Sequence, residues 1–245
     1  MNENIKKILS NIKEGDLVLD VGGWTRPLAR ANYIIDFNPY ETRGKMGLIG
    51  DGSEKFNKNT WIIHDICSRK PFPFKDKQFD FVFCSHTLED LKDPAWVCSE
   101  IIRIGKRGYI ETPSRWIESK TRVGGTLKFP QKLAGYFNHL WFVEVINNEL
   151  VFTSKNPLIH VLKDFQIKNV ISPILEFFWE NEFKYREKLI LSVNDAVYDL
   201  LNFKLTEVKN ETERQRLRRK AAKFLSLTLA QRIKLKLKRL FGSGK

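Results

Sequence analysis

The chain alternates short apolar runs with longer polar stretches. "LVLDV" (17–21), "YIIDF" (33–37), "WIIHDI" (61–66), "FDFVFCS" (79–85) and "RGYIET" (107–112) are rich in Val, Ile, Phe and Tyr and lack clean polar alternation. That is the pattern of strands covered on both faces, and it predicts a mostly parallel sheet in an α/β domain. Before the first run, Glu3–Ile12 has the apolar spacing of a short amphipathic helix, stopped by Gly15. After the fourth, "DPAWVCSEIIRIGKRG" sets Asp93 as N-cap, Pro94 at the first helical position and Gly105 as C-cap. Asn147-Asn148 lies between two strand-like runs and predicts a hairpin, whose antiparallel strands would finish the sheet. Asn156-Pro157 and Ser172-Pro173 read as helix starts, leading into "LIHVLKDF" and "ILEFFWENEF".

At 245 residues and 42% hydrophobic, the chain has the length and composition of a globular protein with a sizeable core. The net charge of +13 looks like a nucleic-acid signal until it is divided along the chain. Residues 209–245 hold 13 Lys and Arg against 2 acids, which leaves 29 basic and 27 acidic residues in 1–208. The body is nearly neutral, and the basic character belongs to a C-terminal tail. Cys67, Cys84 and Cys98 form no C-x-x-C pair and sit among apolar neighbours, which argues for free thiols over disulfides or a zinc site. The N-terminus lacks the apolar core of a signal peptide and no run is long enough to span a bilayer, so the expected location is the cytoplasm.

The first strand carries the candidate chemistry. In a doubly wound sheet the ligand lies beyond the carboxyl ends of the strands, near the point where strand order reverses. A dinucleotide site wants G-x-G-x-x-G, whereas here the glycines are adjacent and Arg26-Pro27 occupies the turn, which disfavours NAD and FAD. The ordered set "VLDVGG", "IIDFNP", "HDI", "FPFKDKQFDFVFCSHTLEDLKDP" and "IGKRGYIETPS" resembles the class I S-adenosylmethionine-dependent methyltransferases, specifically the type-11-like group with a short first connection. The resemblance runs from about residue 17 to 143. It implies a Rossmann-like doubly wound sheet, mostly parallel with antiparallel strands at one edge, and S-adenosyl-L-methionine as cofactor.

Carried onto this chain, the resemblance makes Asp36 the acceptor of both ribose hydroxyls and Asp65 the partner of the adenine amino group, with Ile66 against the purine. Asp20 would support the turn of Gly22 and Gly23 and the amino group of the cofactor. Ser85, His86 and Leu88 would line its methionine side. Two departures stand out. Trp24 occupies the place of the family's last glycine, and only 15 residues separate Asp20 from Asp36, too few for the usual helix. Trp24 therefore opens a tight loop, either covering the cofactor or packing where the helix is lost. The family's L-E-H is here Leu88-Glu89-Asp90.

Methyl transfer from a sulfonium is an in-line displacement that depends chiefly on alignment, so a base is optional. For a hydroxyl acceptor the candidates are His86, Glu111 and His139; His86 reads equally as a polar rim residue and His139 as structural. No metal site is expected. The aromatic-rich stretch 115–205 is the expected acceptor side of a 1–208 domain, and the acceptor class is small, lipid-linked or glycan-linked. The tail, "ETERQRLRRKAAKFLSLTLAQRIKLKLKRLFGSGK", places Leu217, Ala221, Phe224, Leu225, Leu229, Ile233, Leu237, Leu240 and Phe241 at steps of mostly three or four among Lys and Arg. Residues 209–245 thus read as a basic amphipathic helix. An anionic membrane surface, at the inner face of the membrane, is favoured over nucleic acid or packing on the body. The competing functional classes are a noncatalytic α/β scaffold and an RNA-directed methyltransferase recruited by the tail. No oligomeric state is implied.

Overall fold

The computed structural model describes residues 3–121, 133–227 and 231. Two compact units divide the chain: 1–113, 143–152 and 174–187 form the first, and 114–142, 153–173 and 188–245 the second.

The first unit holds a six-stranded sheet. Its parallel strands are β1 (Val18–Val21), β2 (Tyr33–Asp36), β3 (Trp61–Ile63), β4 (Phe81–Ser85) and β5 (Arg107–Pro113), and β8 (Ile174–Glu180) closes one edge in the order β3-β2-β1-β4-β5-β8. The apolar runs read in the sequence are these strands. All four residues of β1 and the first four of β4 are buried, as doubly covered strands require. Helix α1 (Glu3–Ser10) buries Ile8 in a core with Val18, Ile34, Phe81, Phe83 and Tyr109. Helix α2 (Pro94–Ile104) starts as expected: the Asp93 carboxylate accepts from the Trp96 N–H at 3.0 Å, a cap worth about 1 kcal/mol. The β1–β2 connection contains no helix.

One expectation is overturned. Ser172-Pro173 begins not a helix but strand β8, paired antiparallel to β5 from Arg107↔Glu180 to Pro113↔Ile174. "ILEFFWE" is rich in aromatic and branched residues, and β5 would otherwise be an open edge; sheet pairing overrides the local helix signal. Strands β6 (Trp141–Ile146) and β7 (Glu149–Ser154) are the hairpin expected at Asn147-Asn148, whose φ angles of +51° and +61° suit a two-residue turn. They do not finish the main sheet: with β9 (Lys184–Lys188) they form a second one, in the order β6-β7-β9.

In the second unit, α3 (Arg115–Glu118) and α4 (Leu158–Val161) are single turns, the latter at the expected Asn156-Pro157 start, while α5 (Val193–Glu207) and α6 (Glu211–Leu225) are long. Their core includes Phe142, Ile159, Leu162, Phe165, Val197, Leu200 and Leu217. The helix expected over the whole tail is observed as α6; Leu229, Ile233, Leu237, Leu240 and Phe241 lie outside the described residues. Among the described residues no helix is long and apolar enough to cross a membrane, and no cluster of His, Cys, Asp or Glu could hold a metal ion.

Candidate cofactor and active site

Strand order reverses at β1, which pairs with β2 on one side and β4 on the other. Beyond its carboxyl end the chain turns through Gly22 and Gly23. Gly22 has a φ of +79°, and its N–H donates to the Ile35 carbonyl at 2.9 Å. A Cβ there would meet Thr87 Oγ1 at 2.3 Å, and one at Gly23 would meet Asp20 Oδ2 at 2.3 Å. Both positions need glycine because the backbone passes so close to its neighbours.

Asp20, at 1% exposure, accepts from the Leu28 N–H at 2.8 Å. Burial raises its pKa to about 7, against the help of that hydrogen bond and with a small push from Asp36. Asp36 is buried at the end of β2, where Oδ1 accepts from the backbone and side-chain N–H groups of Asn38 at 2.8 and 3.1 Å. Burial also raises its pKa, opposed by Asn38 and by the backbone N–H groups of Trp24 and Phe37. Two acids read from the sequence therefore stand together beside the turn.

Trp24 is a packing residue in this geometry. Its ring lies against the first unit's core, and its indole N–H donates to the carbonyl and hydroxyl oxygens of Thr42 at 3.0 and 2.9 Å. The side chain thereby ties the loop after β2 to the glycine turn, in place of the missing helix. Its backbone N–H serves Asp36.

Asp65 lies exposed past the end of β3, with Oδ1 accepting from the Cys67 N–H at 2.9 Å. Ile66 is buried, while Phe37 and Ile63 are 70% and 62% exposed at the ends of β2 and β3. No apolar periodicity in the sequence singles these two residues out; the one local signal is that Phe37 follows Asp36 directly.

At the end of β4 and β5 a polar cluster gathers His86, Glu89 and Glu111. His86 has a φ of +51°, its N–H donates to the Glu111 carbonyl at 2.9 Å, and its ring nitrogens stand 3.5 Å from Glu89 and 3.3 Å from Glu111. Partial burial disfavours the charged ring, but the two carboxylates outweigh it and raise the pKa to about 9. Glu111 accepts from Tyr109 Oη and Asn4 Nδ2, each at 2.6 Å, and from Ser85 Oγ at 3.1 Å. Burial opposes its ionisation, yet His86, Tyr109 and Asn4 together hold the pKa at about 2. The base role expected for both residues meets resistance: His86 is protonated at neutral pH, and Glu111 is too acidic to draw a proton efficiently. Leu88 is fully buried and offers no side-chain surface to a ligand, in contrast to the lining role expected for it.

Glu89 is the residue the sequence did not reveal. It is 1% exposed, and neither carboxylate oxygen has a hydrogen-bond partner; the His86 ring at 3.5 Å is its one ion-pair contact among the described residues. A buried carboxylate served by one imidazole and no hydrogen bond is only partly compensated, and a ligand cation would relieve the remaining cost. Glu89 lies two residues after Thr87, whose hydroxyl donates to the Val21 carbonyl at 3.4 Å and fills the space where a Gly22 Cβ would stand, so Glu89 belongs to the segment that lines the turn.

His139 belongs to the second unit. Its Nδ1 is 2.6 Å from Glu118 Oε1 and its ring stacks on Tyr136 with centroids 4.7 Å apart. Glu118 is wholly buried and also takes Lys155 and the Tyr136 N–H. That is a satisfied ionic cluster, and it accounts for His139 without a substrate.

The glycine turn, strand-end acids and parallel order have counterparts among known proteins. Residues 22–110 match the family model described as a methyltransferase domain. Over these residues, about a third of the chain, this protein is similar to methyltransferase domains. No curated protein matches it significantly. Among solved structures, a methyltransferase from Haloferax volcanii in complex with the Trm112 methyltransferase activator is 21% identical, with 44% of this chain and 50% of that one covered and a TM-score of 0.33. A Bacillus halodurans methyltransferase is 19% identical over 46% and 52% of the two chains, with a TM-score of 0.33. A SAM-dependent methyltransferase from Aquifex aeolicus is 20% identical over 50% and 68%, with a TM-score of 0.34. The chain thus spans about half the length of the first two methyltransferases.

Proposed function

We propose that this protein transfers the methyl group of S-adenosyl-L-methionine to a small, lipid-linked or glycan-linked acceptor. The observation that carries the reading is the pair of buried carboxylates beside a glycine turn, Asp20 and Glu89, neither of which has a lysine or arginine partner among the described residues. They suit a ligand bearing an ammonium and a sulfonium, and the missing Cβ atoms of Gly22 and Gly23 keep the turn tight against Asp20 and Thr87.

The cofactor supplies an electrophilic methyl group on a positively charged sulfur. The chain's own residues bind and align. Asp36 offers a carboxylate to the ribose hydroxyls, and Phe37 and Ile63 offer apolar surface to the purine. Asp20 and Glu89 provide negative charge for the ammonium end. His86, held as an imidazolium between Glu89 and Glu111, fixes the end of β4 and can orient an acidic or hydroxyl group of the acceptor. An acceptor that arrives as a carboxylate or a free amine needs no base, which agrees with the protonation states of His86 and Glu111.

The test is turnover. Incubation with methyl-labelled S-adenosylmethionine and separate pools of lipid, glycan and small-molecule acceptors should label one pool and release S-adenosylhomocysteine in step. Cofactor binding with no label in any pool would turn the reading towards a noncatalytic binding protein.

A further inference from the structure

Helix α6, the described part of the basic tail, has a buried face and an exposed face. Asn210 caps α6 by accepting from the Glu213 N–H at 3.0 Å. Leu217, Ala221 and Phe224 are then buried in the second unit's core with Leu200 and Leu201 of α5. The apolar face of this helix is spent inside the protein. The opposite face exposes Arg216, Arg218, Arg219 and Lys223. Arg216, Arg219 and Lys223 stand at i, i+3 and i+7, so they form one stripe. The helix's own acids, Glu211 and Glu213, lie in its first turn and reach Arg218 at 3.1 Å and Arg216 at 3.8 Å. Arg219 and Lys223 have no carboxylate within ion-pair distance among the described residues.

A second observation comes from the same unit. Ile171, Leu189, Leu191 and Tyr198 are 76%, 56%, 84% and 52% exposed, although Ile190 between the two leucines packs on the core. Water gains nothing from such residues, and an apolar layer does. Beyond α6, residues 228–245 add six Lys and Arg, no acid, and Leu, Ile and Phe interleaved among them. A surface for single-stranded RNA would pair its cations with stacking aromatics, and the exposed face of α6 has none.

We propose that the second unit docks on an anionic phospholipid surface, with the Arg216–Arg219–Lys223 stripe at the headgroups and Leu189 and Leu191 contributing apolar contact. The attraction is electrostatic for the stripe and therefore salt-sensitive, and apolar for the leucines and therefore salt-resistant. Nothing in it depends on methyl transfer, so it stands or falls separately from the proposed function.

The experiment is co-sedimentation of the full chain with vesicles of phosphatidylcholine alone or mixed with phosphatidylglycerol, across a sodium chloride series. Capture should require phosphatidylglycerol and weaken as salt rises. R216Q/R219Q/K223Q should melt like the parent and bind up to about a hundredfold more weakly, given about fivefold per basic residue at a charged membrane. R216K/R219K should keep the parent's binding. L189S/L191S should lose the salt-resistant remainder. Equal capture by neutral vesicles, no capture, unchanged binding of the triple variant, or tighter capture by RNA than by phosphatidylglycerol vesicles would each overturn the proposal. The salt series on the unaltered chain separates these outcomes even if a variant misfolds.

Discussion

Each unit buries a glutamate almost completely, and the two are built in opposite ways. Glu118 in the second unit has His139, Lys155 and the Tyr136 N–H around its oxygens. Glu89 in the first has, among the described residues, no hydrogen bond and a single imidazole at 3.5 Å. Gly135 shows how tightly the first of these sites is closed, since a Cβ there would meet the Glu118 carbonyl at 2.2 Å. A carboxylate with every oxygen served is a structural part whose removal breaks the fold. One left without donors costs stability as it stands and is explained by something that arrives later. The contrast separates structure from function more cleanly than burial alone, because both residues are about equally buried.

The largest effect should come from breaking the satisfied cluster. Glu118→Ala, or Lys155→Met, should lower the unfolding free energy by roughly 3–5 kcal/mol, because each leaves a buried partner uncompensated. Urea titration followed by circular dichroism measures it. Glu89→Gln should move the urea midpoint far less, since it removes one ion-pair contact at 3.5 Å and no hydrogen bond among the described residues. An equal loss in both would erase the distinction.

Cofactor affinity should reverse the order. Glu89→Gln should weaken S-adenosylmethionine by roughly 1.5–3 kcal/mol through loss of one charge-assisted contact. Asp36→Ala should cost about the same, roughly 1.5–3 kcal/mol, if the ribose hydroxyls are its partners, with little change in stability. Unchanged affinity in a folded Asp36 variant rejects it as the ribose ligand.

The smallest effect is in pH. Burial has raised Asp20 to about 7 in the free protein, so near neutrality it is partly protonated. A bound cation favours the carboxylate, so binding should release a proton and affinity should fall below about pH 7, by up to about tenfold per unit. In the free protein the sign for stability is opposite: with a raised pKa, the contribution of Asp20 is present at low pH and lost as pH rises through about 7. Calorimetry in buffers of different ionisation enthalpy detects the proton, and Asp20→Asn should abolish the pH dependence.

Much of this was legible in the sequence, for identifiable reasons. The five parallel strands announce themselves because doubly covered strands are apolar throughout. The short β1–β2 connection follows from counting residues between Asp20 and Asp36, and the Asp93 cap from Pro94 beside it. β8 was not legible: "ILEFFWE" has no decisive period, and only the edge of β5 decides it. Nor was Glu89, whose significance lies in the absence of donors around it, which is a tertiary fact. His139 reads equally as chemistry or structure in the sequence, and Glu118 and Lys155, distant in sequence, supply the structural reason for it. The amphipathic pattern of α6 was readable, but what covers its apolar face was not; the core of its own unit does.

If the strand-end carboxylates of the first unit form a cofactor site, the free protein binds S-adenosylmethionine through Asp36 and Glu89. Isothermal titration of the full-length protein with S-adenosylmethionine and S-adenosylhomocysteine tests it most directly. Saturable one-to-one binding of both, weakened in Glu89→Gln and Asp36→Ala proteins that unfold like the parent, is the predicted result. No binding at about millimolar ligand, or binding indifferent to both substitutions, would contradict it.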